Sequence, residues 1–137
     1  MPDCVITVHG MPAPQGSKRH VGKGIMVESS AKVKPWREAV KWAALENGTA
    51  IKGPVAMEII FTLPKSKSAP KKRVTFPDRK PDVDKLVRST FDALVSAGTI
   101  EDDARVVSLY TRKVFPNEGQ HSLKVPGAMI FVAEVKS

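Results

Sequence analysis

An apolar stripe of helical period, Leu86, Val87, Thr90, Phe91, Leu94 and Ala97, begins after Asp82 and stops at Gly98, and alternating segments lie on both sides of it. A helix that is apolar along one stripe must bury it, and strands on either side in sequence make a sheet the natural cover. Asp82 is a good N-cap, and Gly98 suits the left-handed position that ends a helix. Ahead of this helix, Cys4 to His9 alternates, and Pro54 to Leu63, with Val55, Ile59, Ile60 and Phe61, reads as a mostly buried strand. Behind it, Val106 to Phe115 and Pro126 to Val135 supply two more strands. A further helix carries Val33, Trp36, Val40, Ala43 and Ala44 at helical spacing, with Ser29 or Ser30 as its cap and Asn47-Gly48 as its end. A short strand near Ile25 to Val27 is expected before it. No internal repeat is present. The expectation is an α+β fold: one two-layer domain over residues 1–137, a mixed sheet packed by two main helices. The start of the second helix is expected close to the start of the Val106 strand.

The charge is uneven. Lysine and arginine number 22 against 14 acids, a formal net charge of +8. The stretch 64–80 holds Lys65, Lys67, Lys71, Lys72, Arg73, Arg79 and Lys80 against the single acid Asp78, and Pro64, Pro70 and Pro77 oppose helix formation. This is a basic, proline-containing loop. A second turn-rich basic segment, Gly10 to Arg19, carries Lys18 and Arg19. Loops of this kind either keep a protein soluble or grip phosphates. The single Cys4 excludes an internal disulfide and points to a reducing compartment. No apolar run approaches the roughly 20 residues that span a bilayer, and no signal-like start is present, so a soluble cytoplasmic protein is expected. His9, His20 and His121 lack zinc-like spacing, and no serine or cysteine sits in a nucleophile motif.

The basic loop leads straight into Arg79-Lys80-Pro81-Asp82-Val83-Asp84-Lys85, and Glu101-Asp102-Asp103-Ala104-Arg105 follows the helix. Taken alone, Asp82 caps, Asp84 complements the helix dipole, and Asp102 or Asp103 forms a turn. Taken together beside a basic loop, Asp82, Asp84 and Asp103 are hard oxygen donors suited to Mg²⁺ or Mn²⁺. Carboxylates forced together resist ionisation unless a cation compensates. Asp84, Arg88 and Asp92 follow one another at four-residue spacing, which makes Asp92 the expected partner of Arg88. Glu101 is placed in water or in an outer shell.

The run Lys80-Pro-Asp-Val-Asp-Lys-Leu-Val-Arg-Ser-Thr-Phe-Asp-Ala-Leu, followed by Ala-Gly-Thr-Ile-Glu-Asp-Asp-Ala-Arg-Val, resembles the signature of the RusA family of Holliday junction resolvases. The N-terminal strand, its proline-rich basic loop and the Trp36 helix fit as well, so the resemblance covers most of the chain. It implies a small homodimer, often phage-encoded, that uses Mg²⁺ to cut four-way DNA junctions in recombination and repair. It further implies that Asp82, Asp84 and Asp103 are the essential metal-binding residues. Lys85 stands where the family usually has asparagine, Arg88 where a functional lysine is expected, and Arg105 where glutamine is frequent. Arginine holds its proton at neutral pH, so Arg88 is assigned electrostatic stabilisation of the phosphate, with Asp92 orienting it. Lys18, Arg19, Lys65, Lys67, Lys71, Lys72, Arg73, Arg79, Lys80 and Lys85 are the candidate DNA contacts. A non-catalytic DNA-binding module and a less selective branched-DNA nuclease are the alternatives.

Overall fold

Strand β1 spans Cys4–His9, helix α1 Lys23–Asn47, strand β2 Val55–Thr62 and helix α2 Val83–Ala97. A 3₁₀ turn at Asp103–Arg105 then leads into β3, Val106–Val114, and β4 is Gly127–Glu134. This computed structural model describes the backbone of residues 2–16 and 23–136, with side chains over 2–16 and 31–136. The four strands form one mixed sheet in the order β1-β4-β2-β3. Only β2 and β3 are parallel, since α2 carries the chain back between them. The β1–β4 and β4–β2 pairs are antiparallel, so β1, β2 and β3 all run the same way.

Both helices cover one face of the sheet. Alternation delivers Cys4, Ile6 and Val8 from β1, Met57, Ile59 and Phe61 from β2, and Ala128, Ile130 and Val132 from β4 to that face. They meet Val33, Trp36, Val40 and Ala44 of α1 and Leu86, Ala93 and Leu94 of α2 in one core. Trp36 joins the layers. Its ring centroid lies 6.4 Å from that of Phe61. Its indole Nε1–H donates to Thr90 Oγ1 at 3.2 Å, and the Thr90 hydroxyl donates onward to the Leu86 carbonyl at 2.8 Å. A buried indole N–H without that acceptor would be costly. Gly98 adopts φ 80°, and its N–H and that of Thr99 return to the carbonyls of Val95 and Leu94, which closes α2 as expected. Gly127 is required by strand spacing, because a Cβ there would run into the Val8 carbonyl oxygen.

Three expectations are corrected. The segment around Ile25 to Val27 is helix rather than strand, and α1 starts at Lys23, well ahead of Ser29 or Ser30. Residue preferences differ by only tenths of a kilocalorie per mole, and an established helix extends at low cost, so continuation outweighs the β-branched residues there. The third correction concerns direction. Because β2 and β3 are parallel, α2 runs antiparallel to both, and its start lies beside the end of β3 instead of its beginning.

Candidate functional site

The ends of β1, β2 and β3 share one edge of the sheet, and the loop that leaves β2 carries a dense run of positive charge. After β2 comes the basic loop 64–80, in which Lys67, Lys71, Lys72, Arg73, Arg79 and Lys80 are exposed. Lys18 and Arg19, which follow β1 in the sequence, lie outside the described residues. Lys65 is engaged differently from its neighbours. Its ammonium donates to Glu118 Oε2 at 2.6 Å and to the Arg73 carbonyl at 3.2 Å, and lies 5.5 Å from the Phe115 ring centroid. Glu118 Oε1 accepts from the Thr75 backbone N–H at 2.9 Å. The two side chains are only 13% and 14% exposed, so this clasp ties the basic loop to the β3–β4 connection.

The Lys65 hydrogen bond, and then that of Thr75, hold the Glu118 carboxyl below the usual carboxylate range. A lowered carboxylate pKa stabilises the clasp above the unfolded value of about 4.3, and this contribution is lost as pH falls through the lower folded value. Glu118→Gln removes it at every pH. Trypsin is then expected to cut after Lys71, Lys72 and Arg73 several-fold faster, read by mass spectrometry of the first fragments. Unchanged nicking rates would show that the clasp does not restrain the loop.

A second anchor sets the start of α2. Lys113, on β3, donates to the carbonyls of Arg79 and Pro81 at 2.8 and 2.9 Å. Asp82 follows directly. It occupies the N-cap position with extended backbone, yet its side chain makes no capping hydrogen bond. Instead one oxygen lies 3.5 Å from the Lys85 ammonium. Asp84 is exposed in the first helical turn, and Arg88 is exposed one turn later. Neither has an ion pair among the described residues. Asp92 pairs with Arg37 of α1 at 3.9 Å rather than with Arg88, because α1 packs along α2 and brings the guanidinium to it.

The double aspartate divides its labour. Asp102 caps the 3₁₀ turn by accepting from the Ala104 N–H at 3.3 Å. Asp103 is left with an exposed carboxyl that has no hydrogen bond among the described residues. Partial burial first, and then the charges of Asp92 and Asp102, raise its pKa above the ordinary value. Glu101 turns away, accepting from the Gly53 N–H at 2.7 Å and lying 3.3 Å from Arg105 Nε.

Within one chain these carboxylates stand in two places. Asp82 and Asp84 open α2, and Asp103 follows its far end after 15 helical residues. At 1.5 Å per residue that is roughly 22 Å of helix. The sheet gives the same answer, since Lys113 beside Pro81 and Asp103 before Val106 sit at opposite ends of β3. Among the described residues, no three His, Cys, Asp or Glu side chains gather closely enough to hold a metal ion. Their hard-oxygen chemistry suits Mg²⁺, but a single chain does not close a ligand set around it.

A small α+β protein with a cationic loop edge and separated, partner-poor aspartates is thereby defined. A family model described as endodeoxyribonuclease RusA matches residues 9–125. The uncharacterized protein YqaN of Bacillus subtilis (strain 168) is similar, with 34% identity over 131 residues, covering 85% of this chain and 91% of its own length. The chain belongs to the RusA endodeoxyribonuclease family. Among the described residues, no helix is long and apolar enough to cross a membrane.

Lys113 and Glu118 carry no signal in the sequence. Their partners lie 32 to 53 residues away along the chain, so no local spacing marks them.

Proposed function

We propose that the protein is a structure-selective endodeoxyribonuclease that resolves four-way DNA junctions as a symmetric dimer, with Asp82 and Asp84 of one protomer facing Asp103 of the other. The observation that carries this reading is the separation of the carboxylates along α2 in a chain of a DNA-cleaving family. A second copy related by a twofold axis is the simplest way to bring the two ends together, and it does so twice. A four-way junction has the same approximate symmetry, so two equivalent sites suit paired cuts on opposing strands. Mg²⁺, with Mn²⁺ as a substitute, would neutralise the scissile phosphate and lower the pKa of a bound water.

The chain's own residues supply the rest. The exposed lysines and arginines of loop 64–80 track phosphates and carry little base specificity, so junctions are selected by shape. Lys113 fixes the position of Asp82 through the backbone. Lys85 offsets the Asp82 charge until a cation replaces it. Arg88, one turn from Asp84, offers a permanent positive charge to the phosphate. The competing reading is a non-catalytic DNA-binding module, favoured by the lack of a closed ligand set within one chain.

Purified protein is expected to introduce paired nicks into a synthetic four-way junction in Mg²⁺ and none in EDTA. Binding without cutting in both Mg²⁺ and Mn²⁺ would leave the binding module as the better account. Equal cutting of junctions, flaps, single strands and linear duplex would remove the junction selectivity.

A further inference from the structure

Phe76 is 75% exposed, the most exposed of the large hydrophobic side chains in the described residues, and it sits inside the basic loop. Single exposed apolar residues are common, so exposure alone says little. Its setting says more. Thr75, the preceding residue, is held by Glu118, and Pro77 follows, which confines Phe76 to extended backbone. The Phe76 carbonyl accepts from the Asp78 N–H at 2.8 Å, which folds the chain tightly after it. The ring is thus presented from a fixed backbone rather than from a slack one. Exposed Arg73 and Arg79 flank it three residues to either side, and Asp82 follows six residues on.

An aromatic face held out between cations is the arrangement that stacks on an unpaired base while its neighbours hold the adjoining phosphates. Duplex DNA offers no free base face, whereas a branch point does, because bases there unstack at low cost. We infer that Phe76 is a stacking residue for an unpaired nucleobase at the branch point, and that it contributes to discrimination between branched and linear DNA. This inference rests on the junction-endonuclease reading for its biological substrate. The contact itself, an aromatic ring on a base, can be measured apart from cleavage. A second copy of this chain is the other surface that could cover Phe76, and the experiment includes it.

Binding is measured in EDTA, where no cutting occurs, for the wild-type protein, Phe76→Ala and Phe76→Trp. The probes are a synthetic four-way junction, a short single strand and a linear duplex of matched length. Phe76→Ala is expected to bind the junction and the single strand about tenfold more weakly, with duplex affinity within about twofold of wild type. Phe76→Trp is expected to restore both. With 2-aminopurine beside the branch point, wild-type and Phe76→Trp binding should change the fluorescence as the base exchanges its stack on neighbouring bases for one on the ring, and Phe76→Ala should not. Equal weakening on all three probes, or no weakening, overturns the assignment, as does a Phe76→Ala protein that has become monomeric by sedimentation. Wild-type protein that never cuts junctions in Mg²⁺ defeats the endonuclease reading instead. The two failures are distinguishable because the single-strand and fluorescence measurements need no catalysis.

Discussion

A mixture of Asp82→Asn and Asp103→Asn protein, unfolded and refolded together so that protomers exchange, is expected to regain junction nicking that neither variant has alone. Each substitution removes a carboxylate from both sites of a homodimer, and each alone is expected to lower cleavage by about 10³-fold or more. In a mixed dimer whose sites are shared between protomers, one site collects both lesions and the other none. Random pairing therefore restores about a quarter of the wild-type sites. The recovered activity should consist of single nicks without paired cuts, because each mixed dimer has one working site. If the site closed within a chain, every site would carry one lesion and mixing would recover nothing. Both aspartates are exposed, and neither side chain makes a hydrogen bond among the described residues, so junction binding and thermal stability should hardly change. Loss of folding in either variant would assign that aspartate a structural task instead.

Trp36→Ala is expected to destabilise the protein by about 3–5 kcal/mol, the usual cost of removing a large buried aromatic. Trp36 is 1% exposed and touches both layers, against Phe61 of the sheet and Thr90 of α2. Its loss leaves a cavity and strips Thr90 of its donor, although Thr90 keeps its bond to the Leu86 carbonyl. Urea denaturation gives the value directly through the shift in midpoint at constant slope. Trp36→Phe retains most of the volume but not the N–H, and is expected to cost less than half as much. A loss under about 1 kcal/mol for the alanine variant would mean that α1 is not keyed to the sheet through this ring.

How far the sequence could be read depended on the range of the forces involved. Helix α2 was legible from cap to cap, since Asp82, the apolar stripe and Gly98 are all local signals and all agree. Strand β1 was equally plain from its alternation. The start of α1 was not, because the few residues around Ile25 favour strand locally while the structure simply prolongs the helix behind them. The direction of β3 relative to α2 is not legible in the sequence, for a different reason. Pairing sense is decided by partners tens of residues away, and nothing in Val106 to Val114 announces that β2 lies parallel to it. With the opposite pairing sense the three aspartates would be adjacent, whereas Asp82 and Asp84 stand at the start of α2 and Asp103 beyond its end. The Asp92–Arg37 pair was hidden likewise, since helical spacing offers Arg88 and only packing offers Arg37.

Lys113 gives the outermost strand an unusual responsibility. Strand β3 has a sheet neighbour on one side only, and near its end the ammonium of its own Lys113 grips two carbonyls just upstream of Asp82. Margins of sheets fray before their centres do. Opening of that margin would therefore release the geometry around Asp82 while Trp36 and Phe61 still held the interior together, so that heat should silence the molecule before it melts it.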